Sequence, residues 1–260
     1  MTETKNTAGM SLSLQDGVAT LAFDVPHPKN AFRAEDAQRL SGLLDEAVAA
    51  GARCLVLRGK PECFCAGWDI AAIRPGQDDP VTTITDVVAP LCNKLQVLPI
   101  PTLSAVAGPA LGFGFGLALS CDMCVAEEDA LFGSPFRGIG MVPDTGTHFF
   151  LRERLGTAMA CELIFTGRLL TGAEAASLGL INAAVTRGGL DEAAARLAGA
   201  IATGPTQAFR LSKEILRAGG DLGAVMAHEA RQLQAAFATA DLQEGLRAFK
   251  ERRKPIFQGR

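Results

Sequence analysis

The sequence predicts an α/β fold followed by an all-helical C-terminal region, on three observations. Short apolar runs of strand character alternate with helical segments through the first two thirds of the chain. Glycine-rich turns stand between them. After Leu190 the strands stop and Ala-rich helical periodicity takes over. A chain of 260 residues suits one large domain, or one domain with a small appendage.

The elements follow in order. Residues 11–14 and 18–23 are apolar runs around Asp16-Gly17, a two-residue pair that signals a hairpin. The polar stretch before them, residues 1–10, is expected to be a disordered, frayed tail. From 35 to 50 the apolar positions Ala37, Leu40, Leu43, Leu44, Ala47 and Val48 recur at helical spacing, and Gly51 ends the helix. Residues 54–57 and 103–107 read as buried strands, with a small-residue helix expected over 114–120 and further strands over 123–126 and 180–185. The helical segments 190–202, 205–218, 222–239 and 241–250 are punctuated by Gly204-Pro205 and Gly219-Gly220. The expected organisation is therefore a tail (1–10), a strand-and-helix core (11–188) and a helical region (189–260).

Composition narrows the function classes. Hydrophobic residues make up 48% and charged residues 20%, with a net charge of −3. No broad basic field is present to hold nucleic acid. The cluster Lys250, Arg252, Arg253 and Lys254 reads either as a solvated helix end or as a contact for a phosphorylated small molecule. Residues 1–10 lack the apolar centre of a secretory leader, and no apolar run reaches membrane-span length. With seven cysteines, an odd number, the thiols are expected to stay reduced in a cytoplasmic setting. Cys121 and Cys124 form a CxxC without a second pair, and His27, His148 and His228 are far apart in sequence. No metal site is therefore expected.

Three loops could carry chemistry. In Cys63-Phe-Cys-Ala-Gly-Trp-Asp-Ile70 the small pair Ala66-Gly67 lets backbone N–H groups approach a ligand, although a plain turn has the same composition. Gly108-Pro-Ala-Leu-Gly-Phe-Gly-Phe-Gly116 precedes a helix, so free N–H groups and the positive helix end converge there. Its G-x-G-x-G spacing is not a dinucleotide fingerprint, and it lacks the Lys-Ser/Thr of a P-loop, which leaves an oxyanion hole. In Gly138-Ile-Gly-Met-Val-Pro-Asp-Thr-Gly146, Asp144 stands at a helix start, where it serves either as an N-cap or as a general base.

The three loops, in this order, resemble the crotonase (enoyl-CoA hydratase/isomerase) superfamily. Phe64-Cys-Ala-Gly-Trp-Asp-Ile70 is similar to its F-x-A-G-x-D-[IL]. The segment from Ile100 to Gly114, followed by Cys121-Asp122, is similar to its second signature. Pro28-Lys-Asn-Ala31 and the C-terminal segment from Glu244 to Phe257 match two more, and the similarity covers almost the whole chain. The resemblance implies a crotonase ββα spiral core with a C-terminal helical trimerisation region, and trimers that often pair into hexamers. It implies an acyl-CoA thioester as substrate and no separate cofactor, coenzyme A being part of the substrate. By motif position the oxyanion donors would be the N–H groups of Ala66 and Phe113. Coenzyme A contacts would come from Lys29, Ala31, Ala66, Gly67, Trp68, Asp69, Ile70 and Gly112, with Phe136 beside the acyl group and Arg252 as a further basic contact.

Hydratases that the chain resembles use two glutamates. Those positions here read Gly116 and Phe136, and neither can transfer a proton. Asp144 remains, as in isomerase-type members, and the pattern is similar to the ring-1,2-epoxyphenylacetyl-CoA isomerase group. One carboxylate suffices to move a proton between the α- and γ-carbons on one face of a thioester dienolate. Two alternatives stay open: a hydratase, lyase or hydrolase that uses Asp144 differently, including as a nucleophile, and a catalytically silent acyl-CoA-binding protein. Trp68, Ile73, the 81–88 segment, Phe136 and Phe149 are expected to line the acyl pocket, although core filling would use the same residue types.

Overall fold

The computed structural model describes residues 3–74 and 76–260. It begins with an antiparallel meander, β1 (Glu3–Thr7), β2 (Met10–Gln15) and β3 (Val18–Phe23). Asp16 and Gly17 both have positive φ (50° and 79°), as a tight hairpin turn with right-handed strand twist needs. The frayed tail expected over 1–10 is not what forms over residues 3–10, residues 1 and 2 lying outside the described ones: Glu3–Thr7 pairs with β2 in full register, through a second positive-φ turn at Ala8-Gly9. The tail's polar composition fits an edge strand, where polar residues are compatible with ladder hydrogen bonds.

From β3 the sheet becomes parallel. Helix α1 (Ala34–Ala49) buries Leu40, Leu43, Leu44 and Ala47 as it crosses to β4 (Cys54–Arg58). Next come α2 (Pro80–Thr83), a π-helical turn over Ile84–Val88 and α3 (Ala89–Val97). Strand β5 (Thr102–Val106) pairs with β4, and β6 (Pro109–Leu111) leads into α4 (Phe113–Ser120). Then follow β7 (Met123–Glu127), β8 (Leu131–Gly133), a 3-10 turn over Pro135–Ile139, α5 (Thr147–Thr166), β9 (Leu170–Thr171), α6 (Gly172–Ser177) and β10 (Ala183–Val185). The main sheet has the order β1-β2-β3-β4-β5-β7-β10, and a small second sheet the order β6-β8-β9. Burial alternates along β2 and β3 but is nearly continuous along β4 and β5. A strand covered on both faces has no solvent side for polar residues.

The packing does not divide at residue 188, where the sequence shifts. Helix α7 (Leu190–Ala202) lays Leu190, Ala194, Ala198 and Ala202 on Cys54, Val56, Leu103 and Ala105, and so covers the sheet's second face. Only α8 (Thr206–Ala218), α9 (Leu222–Phe237) and α10 (Ala240–Lys250) lie beyond that layer. Helix α8 is tied to the core by Lys213, whose buried ammonium donates to the carbonyls of Leu95 (3.0 Å) and Ile100 (3.3 Å) and pairs with Asp122 at 2.8 Å. Burial pulls the Lys213 pKa down.

Asn30 joins the elements that carry the loops of interest. It is fully buried, at φ 58°, a conformation that asparagine tolerates better than most residues. Its amide donates to the carbonyls of Phe23 (3.0 Å) and Phe64 (2.9 Å) and accepts from the Val25 N–H (2.9 Å). One side chain thus fastens the end of β3 to the loop after β4. Replacing Asn30 by Ala leaves these buried groups unpaired, and denaturant melts should show a loss of about 3 kcal/mol.

Candidate active site

The loop after β4 is threaded between two other stretches of main chain. Cys65 donates to Pro109 O (3.0 Å) and accepts from Leu111 N (2.9 Å). On its other side, Ala66 N donates to Lys29 O (3.1 Å), Phe32 N to Gly67 O (2.8 Å) and Asp69 N to Phe32 O (2.9 Å). Gly67 (φ 112°) and Gly112 (φ 53°) let the two glycine loops approach each other. A methyl group added to Gly67 would lie 3.1 Å from Leu111 O and 3.7 Å from Phe113 N.

This lacing corrects one expected donor. The Ala66 N–H is already spent on Lys29 O. The N–H groups of Trp68 and Phe113, in contrast, have no hydrogen-bond partner among the described residues. Phe113 opens α4, where the first N–H groups lack intrahelical acceptors and the helix dipole is positive. Its ring is fully buried between Trp68 (centroids 4.5 Å apart) and Phe32 (5.3 Å). A large side chain at position 113 therefore anchors the helix start without taking its N–H.

Beside these loops lies a cleft of about 170 Å³. Of the expected residues it brings together Ala66, Gly67, Trp68, Ile70, Ile73, Gly112 and Phe136. Lys29, Ala31, Asp69, Phe113, Asp144 and Arg252 are not among the residues that line it. Ala31 is buried, and Lys29 and Arg252 have exposed side chains on strained, positive-φ backbone. Asp69 is held by Arg33 at 2.6 Å, which keeps its carboxyl below the usual range. Phe149 and Val81 are exposed and do not line the cleft. Leu111, Pro135, Ile139 and Met141 line it as well. Leu111, Ile139 and Met141 lie inside the two glycine loops singled out in the sequence, although none was expected as a site residue, and Pro135 adjoins Phe136.

Asp144 is not an N-cap. Helix α5 begins at Thr147 behind Gly146, and the Asp144 side chain caps nothing. Its Oδ1 instead accepts from the hydroxyl of the next residue, Thr145, at 2.7 Å. Its Oδ2 has no hydrogen-bond partner among the described residues. Burial pushes the carboxyl pKa up, and the Thr145 hydroxyl only partly offsets this. The segment is pressed onto α4 at Gly116, where an added methyl would stand 2.1 Å from Thr145 O. Gly116 is one helical turn beyond Phe113, so Asp144 is anchored to the helix that presents the free N–H. No cluster of metal-ligating side chains occurs among the described residues, and the Cys121 and Cys124 thiols are unpaired and buried.

The chain is similar to known proteins over nearly its whole length. The enoyl-CoA hydratase/isomerase family profile matches residues 13–260. The mouse (Mus musculus) mitochondrial enoyl-CoA hydratase domain-containing protein 2 is 34% identical over 256 residues, covering 94% of this chain and 85% of that protein. The crystal structure of an enoyl-CoA hydratase from Bacillus anthracis superposes with a TM-score of 0.90 at 29% identity, covering 97% of this chain and all of the other. An enoyl-CoA hydratase from Polaromonas sp. JS666 gives a TM-score of 0.87 at 25% identity, with 99% of both chains covered.

The contact at Gly116 is open to test by thermodynamics. Gly116→Ala should destabilise the protein by about 3 kcal/mol or more, because backbone lies in the way of the added carbon. Gly42→Ala, in α1 with open space around it, should be neutral or stabilising by about 0.5–1 kcal/mol. Chemical denaturation of the two variants separates these outcomes.

Proposed function

The chain belongs to the enoyl-CoA hydratase/isomerase family, with that family's crotonase fold, and we propose that within it this enzyme is an acyl-CoA isomerase that shifts a double bond. The observation that carries the proposal is the pairing of one half-buried carboxylate, Asp144, with Gly116 and Phe136 at the two positions where hydratases carry glutamates. Gly116 has no room for a side chain, and Phe136 contributes an apolar wall to the cleft. Adding water to a double bond needs one group to activate water and another to protonate carbon. A proton shift needs only one.

In this scheme the N–H groups of Trp68 and Phe113 receive the thioester oxygen. With a 3-enoyl-CoA, the Asp144 carboxylate takes a proton from the α-carbon. The C–H electron pair moves into the α-carbon–carbonyl bond, and the carbonyl pair moves onto oxygen to form the dienolate. The carboxyl then returns its proton to the γ-carbon, the oxygen pair re-forms the carbonyl, and the double bond comes to rest between the α- and β-carbons. Each oxyanion donor is worth roughly a hundred- to a thousandfold in rate. An epoxide-derived acyl-CoA with an acidic position next to the thioester is a second substrate of the same class. Ile70, Ile73, Ile139 and Met141 give the cleft an apolar wall.

The proposal extends to assembly and setting. Helix α9 buries no residue in its own chain and exposes Leu222, Met226, Leu233 and Phe237 along one face. Such an apolar stripe fits a partner helix, and we assign it to self-association as a trimer, or a dimer of trimers. No helix among the described residues is long and apolar enough to cross a membrane. All seven cysteines are free thiols, consistent with a reducing, cytoplasmic compartment.

With 3-hexenoyl-CoA, the conjugated-thioester absorbance should rise; with crotonyl-CoA it should not fall. A fall with crotonyl-CoA would favour a hydratase, and no change with either, binding of coenzyme A being intact, a silent binder. Asp144→Asn should abolish isomerisation while leaving coenzyme A affinity nearly unchanged; full activity in that variant removes Asp144 from the chemistry. The raised Asp144 pKa puts the acidic limb of the rate profile above the ordinary range for aspartate, since the base must be ionised. In stability the sign is opposite. The fold favours the protonated carboxyl, so that contribution is complete at low pH and is lost as pH rises through the folded pKa. Asp144→Asn should accordingly melt at a higher temperature than the parent at neutral pH. In analytical ultracentrifugation the parent should sediment as a trimer or hexamer, and Leu233→Glu should shift it toward smaller species.

A further inference from the structure

We propose that Thr145 is a positioning residue, whose forced backbone conformation and hydroxyl fix which oxygen of Asp144 is free to carry the proton. Thr145 is a buried, β-branched residue at φ 55°. That left-handed conformation is an outlier for such a side chain and is sustained only where the surroundings impose it. Here the imposing contacts are visible. The Thr145 carbonyl and side chain are packed on Gly116 of α4, and the next residue, Gly146, continues the left-handed turn at φ 73°. In this posture Oγ1 reaches back to Asp144 Oδ1 at 2.7 Å. Oδ2 is left without a partner among the described residues. A glycine would adopt the same backbone without strain. The hydroxyl is what the threonine adds, and it is aimed at the carboxylate.

Among the described residues the surroundings offer the carboxylate no competing charged partner. Cys92 faces it from α3, but burial holds that thiol at about 11, so it stays neutral. Helix α4 carries no titratable side chain. On the 3-10 turn, Arg137 donates to Thr166 O, and on α3, Lys94 pairs with Asp45. His148, in the first turn of α5, is exposed. The Thr145 hydroxyl is thus the one side-chain group that orients Asp144 among the described residues.

The inference rests on Asp144 as the proton carrier, and its test separates the two. Thr145→Gly keeps the turn and deletes the hydroxyl; Thr145→Ser keeps the hydroxyl. With 3-hexenoyl-CoA, Thr145→Gly should lower kcat roughly tenfold to a hundredfold with little change in KM. It should also move the acidic limb of the pH profile upward, because a hydrogen bond that favours the charged carboxylate is gone. Thr145→Ser should recover most of kcat and return the limb. Unchanged kcat and limb in Thr145→Gly, or equal loss in both variants with both folded by thermal melt, overturns the role of Thr145. If Asp144→Asn is inactive in the same series, only the positioning role has failed; if it is active, the proton-carrier role has failed too.

Discussion

The first two turns of α4 lie so close to two other stretches of backbone that no side-chain carbon fits between them. A methyl on Gly114 would stand 2.2 Å from Cys65 O, and one on Gly116 2.1 Å from Thr145 O. Main chain against main chain is the tightest register a protein can set, because rotamers cannot relax it. It holds the loop after β4 against one side of the helix and the Pro143–Gly146 turn against the other. The free N–H of Phe113, that of Trp68 and the Asp144 carboxylate therefore share one rigid frame. The rings of Trp68, Phe113 and Phe32 brace it from the core side.

That frame concentrates electrostatic asymmetry in a small volume. Unpaired N–H groups and the positive end of α4 favour negative charge in the cleft. Asp144, by contrast, is disfavoured as an anion by burial, and the Thr145 hydroxyl and its own backbone N–H relieve this only in part. A carboxylate in this position is a stronger base than one in water. In the proposed scheme, oxyanion donors and a destabilised base serve one enolate, and no side-chain cation among the described residues lines the cleft.

Much of this was legible in the sequence. The Asp16-Gly17 hairpin, the helix over 34–49, the buried strands and the C-terminal helices follow from periodicity and turn chemistry. The glycine loops and Asp144 stood out by their order along the chain. What could not be read was which backbone groups a third segment would consume. Ala66 and Trp68 lie in one motif, and only the return of Lys29 O shows that the Ala66 N–H is taken. The β1 strand was hidden because its side chains are polar and its ladder is backbone. Thr145 was invisible because its role depends on a dihedral angle, and no composition signal marks a threonine held at φ 55°. Asn30 was seen as part of a family signature, but its task of tying three main-chain groups together appears only in three dimensions.

The crowding at Gly116 also limits what that position can hold. Any side chain there, a glutamate included, would first have to push back the neighbouring turn, because the carbonyl of Thr145 occupies the space of its first carbon. Retraction of that turn would carry Asp144 with it, so the occupant of position 116 and the placement of Asp144 cannot be varied independently.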